Sequence, residues 1–322
     1  MRFHDFFIYA HGFKLREHSI FKPLKIESFI RLFILITSNY LIPIYFKLTN
    51  LIFKTEKING GSENAFIVSF TTFPERIEKI WLVVECLLRQ KTKPDKLILW
   101  LSKDQFPSKD ILPSRLLNLE KRGLEIVLCN GDLKSHKKYF YTLTEYPEDI
   151  LVTVDDDFFY PSTLLSDLLR LHKKYPNAIC CERAYLMKVE NGELSPYGSW
   201  KYLLDGFGPS FEVFQTSGGG TLYPSGSLHP EVLNKDIFLK YCKTADDVWL
   251  NIMSQLNFTQ IIKSDKYYEL LPIISNSVIN LSTVNVLQGQ NDKQLKKVRE
   301  IILEKFHIDP FQKLLSKKSI LK

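Results

Sequence analysis

Short apolar runs alternate with amphipathic stretches from about residue 64 onward. Four runs are almost wholly apolar, as strands buried on both faces are, and they lie at 65–70, 96–101, 124–129 and 151–154. Apolar residues that recur every three or four positions predict helices between the runs, at 76–90, 113–121 and 162–174. Buried strands separated by helices indicate an α/β fold, with a mostly parallel, Rossmann-like sheet flanked by helices.

The two ends of the chain have a different pattern. The most apolar stretch, 29–53, approaches the length of a membrane-spanning helix, but four residues interrupt it, Arg31, Asn39, Pro43 and Lys47. We therefore expect two short amphipathic helices there, on a bilayer or against the body, rather than one spanning helix. The tail 293–322 is a second basic amphipathic candidate, and it either attaches to a membrane surface or packs on its own domain. We expect at least one of the two ends to attach to a membrane.

The charge of the chain follows the same division. The net charge is +7, but residues 1–57 carry +5, residues 293–322 carry +6 and the stretch between them carries −4. We predict an N-terminal helical segment at 1–60, a main α/β domain at 61–292 and the basic tail at 293–322. A negative body without a stripe of basic and aromatic residues argues against nucleic-acid binding. The 45% share of hydrophobic residues excludes a disordered chain.

The cysteines favour a reducing compartment. There are five, an odd number, without a Cys-x-x-Cys pair or the spacing of a zinc site. The first thirty residues lack the layout of a signal peptide, because charges and histidines interrupt the apolar positions. Together with the basic ends, these features predict a cytoplasmic protein at the inner face of the cell membrane.

Candidates for chemistry follow each apolar run, because ligands of open α/β sheets bind beyond the carboxyl ends of the strands. Thr71 and Thr72 follow the first run, where a dehydrogenase or a P-loop enzyme would carry a glycine-rich loop. Their hydroxyls are candidates to bind a nucleotide base or ribose. The alternative is that Thr72 caps a helix near Pro74.

Three consecutive carboxylates leave the fourth run. Asp155, Asp156 and Asp157 repel one another at the edge of an apolar core, and a divalent cation would relieve that repulsion. Asp155 and Asp157 project to the same side of an extended chain, which suits Mg²⁺ or Mn²⁺ with nucleotide phosphates as further ligands. The alternative is an acidic turn that caps the following helix.

A basic stretch and a glycine-rich segment supply further candidates. Asp132 and Lys138 follow the third run, where a lysine would neutralise phosphate oxygens. Lys137 is an alternative to Lys138, and a solvated loop is the alternative to both. Gly219 and Gly220, in SGGGTLYP, indicate a backbone that approaches a ligand closely or a mobile loop.

Two further aspartates begin a predicted helix. Asp246 and Asp247 precede Val248, Trp249 and Met253, which have helical spacing. The aspartates are candidates for a general base that is aimed into the cleft. The alternative is that they cap the helix and interact with its dipole.

Five segments, taken in order, resemble bacterial glycosyltransferases with the GT-A fold, in particular family-2-like enzymes of capsule and lipopolysaccharide biosynthesis. They are IVSFTTFPERI, LLRQKTKPDKLILWLS, the DDD of 155–157, GGGTLYP and ADDVWL, and they span about residues 64–295. The resemblance implies that Asp155 and Asp157 hold Mn²⁺ or Mg²⁺ on the donor diphosphate. It also places Asp156 near the donor ribose or sugar.

The candidates thus fall on three sides of one predicted site. The donor side comprises Thr71, Thr72, Arg76, Asp132, Lys138, Asp155 and Asp156. The acceptor side comprises Gly219, Gly220 and Trp249. Asp247 stands at the family's catalytic-base position, but Asp246 replaces the commoner Glu before it, so both remain candidates. By the same resemblance, Asn291 and Asp292 would help to close over the nucleotide.

The predicted function is metal-dependent transfer of a sugar from a nucleotide sugar, a UDP-sugar first, to a hydroxyl of a growing surface glycan. An Asp base implies inversion, whereas a retaining enzyme would not need it. The predicted partners are the donor, a glycan or lipid-linked glycan acceptor, and a membrane surface. One alternative is a nucleotidyltransferase, which would normally carry a glycine-rich loop after the first strand. The other is a non-catalytic membrane-peripheral binding protein, which has no use for three carboxylates after a core strand.

Overall fold

The structure is a computed structural model that describes residues 1–13, 26–52, 57–58, 65–266, 269–274 and 289–319. The described α-helices are α1 (Phe3–His11), α2 (Ile26–Ile52), α3 (Ile80–Leu88), α4 (Ser114–Leu117), α5 (Lys137–Glu145), α6 (Leu164–Lys174), α7 (Lys235–Tyr241), α8 (Asp246–Leu256), α9 (Gln290–Phe306) and α10 (Gln312–Ser319). The predicted domain boundary between 60 and 61 lies outside the described residues.

The strands are mostly short. They are β1 (Phe66–Thr71), β2 (Lys96–Ser102), β3 (Leu124–Cys129), β4 (Ile150–Thr153), β5 (Phe158–Phe159), β6 (Ile179–Cys181), β7 (Ala184–Leu186), β8 (Val189–Glu190), β9 (Glu193–Leu194), β10 (Lys201–Tyr202), β11 (Phe207–Ser210), β12 (Val213–Gln215), β13 (Thr221–Tyr223), β14 (Ile261–Lys263) and β15 (Leu271–Pro272). Each of the four predicted strands is found as β1 to β4, with its ends within one residue of the prediction.

An eight-stranded sheet forms the centre, in the order β11-β14-β6-β13-β4-β1-β2-β3. β1 to β4 run parallel to one another, and β14 runs parallel to β6. β13 is antiparallel to both of its neighbours, and β11 is antiparallel to β14. The predicted α/β class, with a mostly parallel sheet flanked by helices, is confirmed.

The order of the strands reverses between β1 and β4, the place where open α/β sheets form a binding crevice. From β1 the chain moves to β2 and β3 on one side, and then crosses to β4 on the other side. Ligands of open α/β sheets bind at such a reversal, outside the carboxyl ends of the strands. Residues 71–72 follow β1 and residues 155–157 follow β4, so the fold brings two predicted groups to one place.

Helix α3 is buried on all sides. The sequence predicts one amphipathic helix over 76–90, whereas the structure has a 3₁₀ turn at Pro74–Arg76 and then α3, whose nine residues are all buried. Glu85 of α3 is ion-paired with Arg89 at 3.0 Å and accepts a hydrogen bond from Asn50 of α2. These contacts attach the N-terminal helices to the layer of helices on the sheet.

The prediction of two short N-terminal helices is wrong, because α2 is one helix of 27 residues with Pro43 inside it. Two of the expected interruptions have partners. Arg31 is ion-paired with Glu27 one turn earlier, at 3.3 Å, and the Asn39 side chain hydrogen-bonds the backbone of 272–274. Contacts with the body therefore support the helix through positions that look like breaks in the local pattern. Among the described residues, α2 is the one helix whose length and apolar composition would suffice to cross a membrane.

The C-terminal tail packs on its own domain, which is the second of the two interpretations of its sequence. Leu295, Val298 and Ile302 have the predicted helical spacing in α9 and are buried in one core with residues of α7 and α8. This apolar stripe therefore does not face a membrane, because residues of the protein's own core cover it. A second core lies against α3 and α6 and includes residues of α1 and α2. All five cysteines are buried free thiols.

Candidate active site at the carboxyl ends of β1 and β4

Asp156 anchors the acidic turn that follows β4. Its buried carboxylate accepts hydrogen bonds from the Thr72 hydroxyl and the Arg76 guanidinium, both at 2.5 Å. Arg76 also lies 2.9 Å from a carboxylate oxygen of Asp157. Because Thr72 and Arg76 follow β1, these bonds tie the ends of the two central strands together. Three predicted donor-binding residues are thus engaged with one another.

Two other predicted donor-binding residues have partners outside the acidic turn. The Thr71 hydroxyl donates to the Trp100 carbonyl of β2 at 2.8 Å. Asp132 is ion-paired with Lys134 and, at 2.5 Å, with Lys137. Lys137 is therefore committed to Asp132, which leaves Lys138 as the lysine of this stretch that reaches the acidic turn.

Lys138 joins the acidic turn to the start of α8. Its buried ammonium lies 2.8 Å from Asp155 and 2.9 Å from Asp246. Burial by itself lowers the pKa of Lys138, but the two carboxylates outweigh burial and raise that pKa well above its ordinary value. Lys138 is therefore a fixed positive charge between two acidic groups.

The two aspartates at the start of α8 differ in their protonation. Burial raises the pKa of Asp246, but Lys138 and the Ser217 hydroxyl, which donates at 2.7 Å, lower the pKa to about 2. Burial and the adjacent charge of Asp246 raise the pKa of Asp247 to about 7. The Asp247 carboxylate accepts a hydrogen bond from the Ser217 amide at 2.6 Å. Asp246 is thus a fixed anion, and Asp247 is the carboxyl group that exchanges a proton near neutral pH.

Asp155 and Asp157 fit a divalent cation as two ligands. The Asp155 side chain is 41% exposed, and Asp157 Oδ1 is buried without a hydrogen-bond partner among the described residues. Burial and the charge of Asp155 raise the pKa of Asp157 to about 7. Magnesium-like ions often take one or two carboxylates and fill their remaining positions with phosphate oxygens. The described residues hold no group of three or more His, Cys, Asp or Glu side chains that would bind a metal alone.

The glycine-rich segment lies directly on Asp155. A Cβ atom on Gly218 would be 1.6 Å from Asp155 Oδ2, so a side chain there cannot coexist with the present position of that carboxylate. The Tyr160 hydroxyl holds the two segments together, because it accepts a hydrogen bond from the Asp155 amide at 2.8 Å and donates one to the Gly218 carbonyl. Gly218 is therefore needed for the position of the acidic turn.

Gly219 and Gly220 are close to the protein's own side chains. A Cβ atom on Gly219 would lie 2.5 Å from the Cβ of Arg183, and one on Gly220 would lie 2.5 Å from Leu164. Gly220 also has a φ of +98°, which disfavours any other residue. The close approach predicted from the sequence is thus explained by contacts within the protein.

Trp249 lies in the core, and its predicted acceptor role is corrected. Its side chain is 0% exposed, and the indole donates to the Val232 carbonyl at 3.0 Å. Asn291 and Asp292, which were expected to close over the nucleotide, also contact the protein. Asp292 accepts a hydrogen bond from the Tyr197 amide at 2.7 Å, and Asn291 is buried.

Sequence reasoning missed three polar residues that shape the site, Tyr160, Arg183 and Ser217. The run 178–181 ends in a charged pair, Glu182 and Arg183, as the fourth run ends in aspartates. The rule that singled out 155–157 would therefore have found Arg183 too. Nothing in the sequence distinguishes Tyr160 and Ser217 from neighbours of the same type.

No family model matches the chain, and no curated protein matches it. Solved structures with partial likeness include TarS 1-349 of S. aureus, at 18% identity over 63% of this chain and 59% of that chain, with a TM-score of 0.41. Its complex with UDP matches at 14% identity over 77% and 74%, with a TM-score of 0.41. This chain therefore spans about three fifths to three quarters of TarS 1-349.

Two further structures complete the comparison. The mannosyltransferase PcManGT from Pyrobaculum calidifontis, in complex with GDP-Man and Mn²⁺, matches at 11% identity over 89% of this chain and 79% of that chain, with a TM-score of 0.46. A 4-diphosphocytidyl-2C-methyl-D-erythritol synthase from Anaerococcus prevotii matches at 14% identity over 72% and 97%, with a TM-score of 0.39. All of these TM-scores lie below 0.5, so a functional proposal has to rest on the residues of the site.

Proposed function

We propose that the protein is a metal-dependent glycosyltransferase of the GT-A type, which moves a sugar from a nucleotide-sugar donor to a hydroxyl of a glycan acceptor. The observation that carries the proposal is the pair of unlike carboxyl groups at the start of α8. Lys138 holds Asp246 as a fixed anion, while Asp247 has a pKa of about 7 beside the acidic turn. A general base works best with a pKa near the working pH.

The chemistry assigned to the residues is a single displacement. Asp247 takes the proton of the acceptor hydroxyl, whose oxygen attacks the anomeric carbon of the donor sugar. The bond from that carbon to the diphosphate oxygen breaks, and the nucleoside diphosphate leaves, so the configuration is inverted. A divalent cation held by Asp155 and Asp157 would act as a Lewis acid that stabilises the departing diphosphate. Asp156, Thr72 and Arg76 position the turn that carries these two ligands.

The first prediction tests the donor and metal sites. In a screen of UDP-, GDP- and CMP-sugars, one class is expected to be hydrolysed slowly in the presence of Mn²⁺ and not after chelation. The Asp155→Asn and Asp157→Asn variants are expected to lose this activity by about 100-fold or more, since each removes a charged ligand. Product analysis and Mn²⁺-dependent calorimetry of UDP binding measure the two effects.

Asp110→Asn is the matched control, because Asp110 is an exposed aspartate outside the crevice. It is expected to keep full activity. Full activity in either acidic-turn variant would remove the metal assignment, and hydrolysis that survives chelation would remove the metal dependence.

We also propose that the N-terminal helices place the protein on the inner face of the cell membrane. Toward the body, α2 presents Ile42 and Phe46, which are 0% exposed, and Asn39. Its other face carries large apolar side chains that are 38–84% exposed, namely Phe29, Phe33, Ile36, Tyr40, Ile44 and Leu51. Phe6 and Tyr9 of α1 are also exposed, at 55% and 43%. Apolar surfaces of this extent usually mark an interaction site.

The contacts of α2 favour a helix that lies in the membrane plane over one that spans the bilayer. Asn39 bonds the backbone of 272–274, and Arg89 donates to Thr49 at 2.9 Å and to Asn50 at 2.7 Å. A spanning orientation would break these bonds and leave the polar groups in hydrocarbon. The net charge of +5 on residues 1–57 suits anionic headgroups. A lipid-linked acceptor would account for a transferase that binds a membrane surface.

The second prediction tests this surface. The triple variant Phe29→Ser, Phe33→Ser, Tyr40→Ser is expected to bind phosphatidylglycerol-containing vesicles at least about tenfold more weakly, since each buried aromatic contributes roughly 1.5–3 kcal/mol. Vesicle co-sedimentation measures the change. Ile111→Ser is the control, because Ile111 is 57% exposed elsewhere on the protein. Equal binding by the triple variant and the wild type would rule out this membrane-facing surface.

A further inference from the structure

Arg183 is a cation without an anionic partner among the described residues. Arg76 and Lys138 each contact two carboxylates, whereas no described carboxylate lies within ion-pair distance of Arg183. Its guanidinium donates a hydrogen bond to the Tyr185 hydroxyl at 3.4 Å and also interacts with the Tyr202 hydroxyl. The guanidinium nitrogens without a protein partner are not sealed from solvent. Within the part of the chain that the structure describes, Arg183 therefore keeps donors for an anion from outside the protein.

The surroundings of Arg183 suit an anionic ligand. The guanidinium carbon lies 5.8 Å from the centre of the Tyr202 ring, and the Tyr185 ring lies 5.4 Å from the Tyr202 ring. The rings hold the long side chain in one region, which reduces the entropy lost on binding. The guanidinium offers a planar fork of donors that matches a phosphate or a carboxylate, and a tyrosine hydroxyl can add one donor.

The position of Arg183 assigns this ligand to the acceptor side. Gly218 faces Asp155 and Gly219 faces Arg183, so the glycine turn separates Arg183 from the acidic turn. On the other side, the Tyr197 ring lies 5.5 Å from the Tyr185 ring. Burial raises the pKa of Tyr197, and the charge of Asp247 raises it further, so this phenol also lies close to the proposed base.

We propose that Arg183, with the Tyr185 hydroxyl, binds a phosphate or carboxylate group carried by the acceptor substrate. The assignment of this anion to the acceptor rests on the proposed transferase function, whereas the anion-binding site itself does not. The acceptor would then be an anionic glycan or a phosphate-bearing polyol or lipid-linked sugar. Its anionic group would anchor in the subsite while a hydroxyl of the same molecule approaches Asp247.

The third prediction uses small anionic probes and their neutral counterparts. Calorimetry of the full chain is expected to detect glycerol 3-phosphate or glucuronate at millimolar concentrations, and neither glycerol nor glucose. Arg183→Gln is expected to weaken anion binding roughly 10- to 100-fold, the effect of removing a charged hydrogen-bond partner. Arg183→Lys should fall between the two, because it keeps the charge and loses the fork. Comparing the phosphate with the carboxylate identifies the group that the site prefers.

Arg170→Gln is the matched control, since Arg170 is an exposed arginine paired with Asp265. It should bind the probes as the wild type does. The subsite is ruled out if the wild type binds neither anion. It is also ruled out if Arg183→Gln and Arg183→Lys bind the anions as tightly as the wild type does. UDP affinity in Mn²⁺ is expected to be unchanged in Arg183→Gln, and a parallel loss there would move the anion to the donor and overturn the acceptor assignment.

The subsite and the transferase function fail separately. If the wild type hydrolyses no nucleotide sugar and Arg183→Gln still loses the anionic probes, the proposed function fails and the anion site stands. If donor hydrolysis is metal-dependent and no anion binds, the function stands and the subsite fails.

Discussion

Asp247→Asn is expected to lower kcat for sugar transfer by about 10²–10⁴-fold, the usual contribution of a general base. The amide cannot take the proton of the acceptor hydroxyl. Its oxygen can still accept the hydrogen bond that the Ser217 amide donates to Asp247 at 2.6 Å, so the local structure is kept. Donor affinity should therefore change little. Steady-state transfer assays and calorimetry with UDP measure the two quantities.

The same group sets a pH dependence for the wild type. The base must be unprotonated, and the pKa of Asp247 is about 7, so transfer is expected to slow as the pH falls below 7. The stability of the folded protein depends on pH in the opposite direction. The pKa of Asp247 in the folded state exceeds its ordinary value of 3.8, so its carboxylate costs stability above pH 7, and this cost shrinks as the pH falls toward 3.8. Asp247→Asn should thus raise the free energy of unfolding at pH 8, and raise it less at pH 5, where more of the wild-type carboxyl is already protonated.

Asp236→Asn is the control, because Asp236 is an exposed aspartate in the first turn of α7. Loss of this first-turn carboxylate is expected to lower the free energy of unfolding by about 0.3–1 kcal/mol, because the carboxylate interacts favourably with the helix dipole. Asp247→Asn that keeps turnover would show that Asp247 is not the base. A variant that loses UDP binding together with turnover would assign it a structural role.

Gly218→Ala is expected to lower metal-dependent activity by about 100-fold or more, as displacements of about 1 Å at a reacting centre do. The new Cβ would lie 1.6 Å from Asp155 Oδ2, so the carboxylate has to leave its position 2.8 Å from Lys138. The backbone of Gly218 does not lie in the left-handed region, so the clash alone produces the effect. Mn²⁺-dependent binding of UDP should weaken in parallel, and calorimetry measures this.

Gly198→Ala is the matched control, because it also lies outside the left-handed region and a Cβ there meets nothing within 4 Å. It should keep both stability and activity. Wild-type activity in Gly218→Ala would mean that the position of Asp155 does not matter for the reaction. A loss of activity in both variants would show that the effect is not specific to Asp155.

The prediction of the sheet succeeded where burial alone decides the pattern. β1, β2 and β4 are buried on both faces, so each strand is visible as a short apolar run. The edge strand β3 exposes Glu125 but is otherwise apolar. The prediction of two short helices failed because the residues that stabilise α2 as one helix lie far away in the sequence. Asn39 looks like an interruption until 272–274 is seen beside it, and Pro43 is tolerated in a helix that Ile42 and Phe46 fix to the body.

For the site, the sequence pointed to most of the acidic residues but not to their partners. Thr72, Arg76 and Asp156 were expected to bind the donor, and in the structure they bind one another. Trp249 was expected near the acceptor, and it fills the core. A side chain's partner depends on the fold, and residue type and spacing do not specify it.

By itself, the sequence determined the α/β class, the four central strands and the two acidic segments, because periodicity of burial and charge next to an apolar run are local properties. The tertiary structure alone decided that Lys138 joins the two acidic segments and that Asp246 and Asp247 differ in pKa. It also showed that Arg183 has no anionic partner among the described residues. These properties depend on distances between residues that are far apart in the chain, and burial and charge change steeply with such distances.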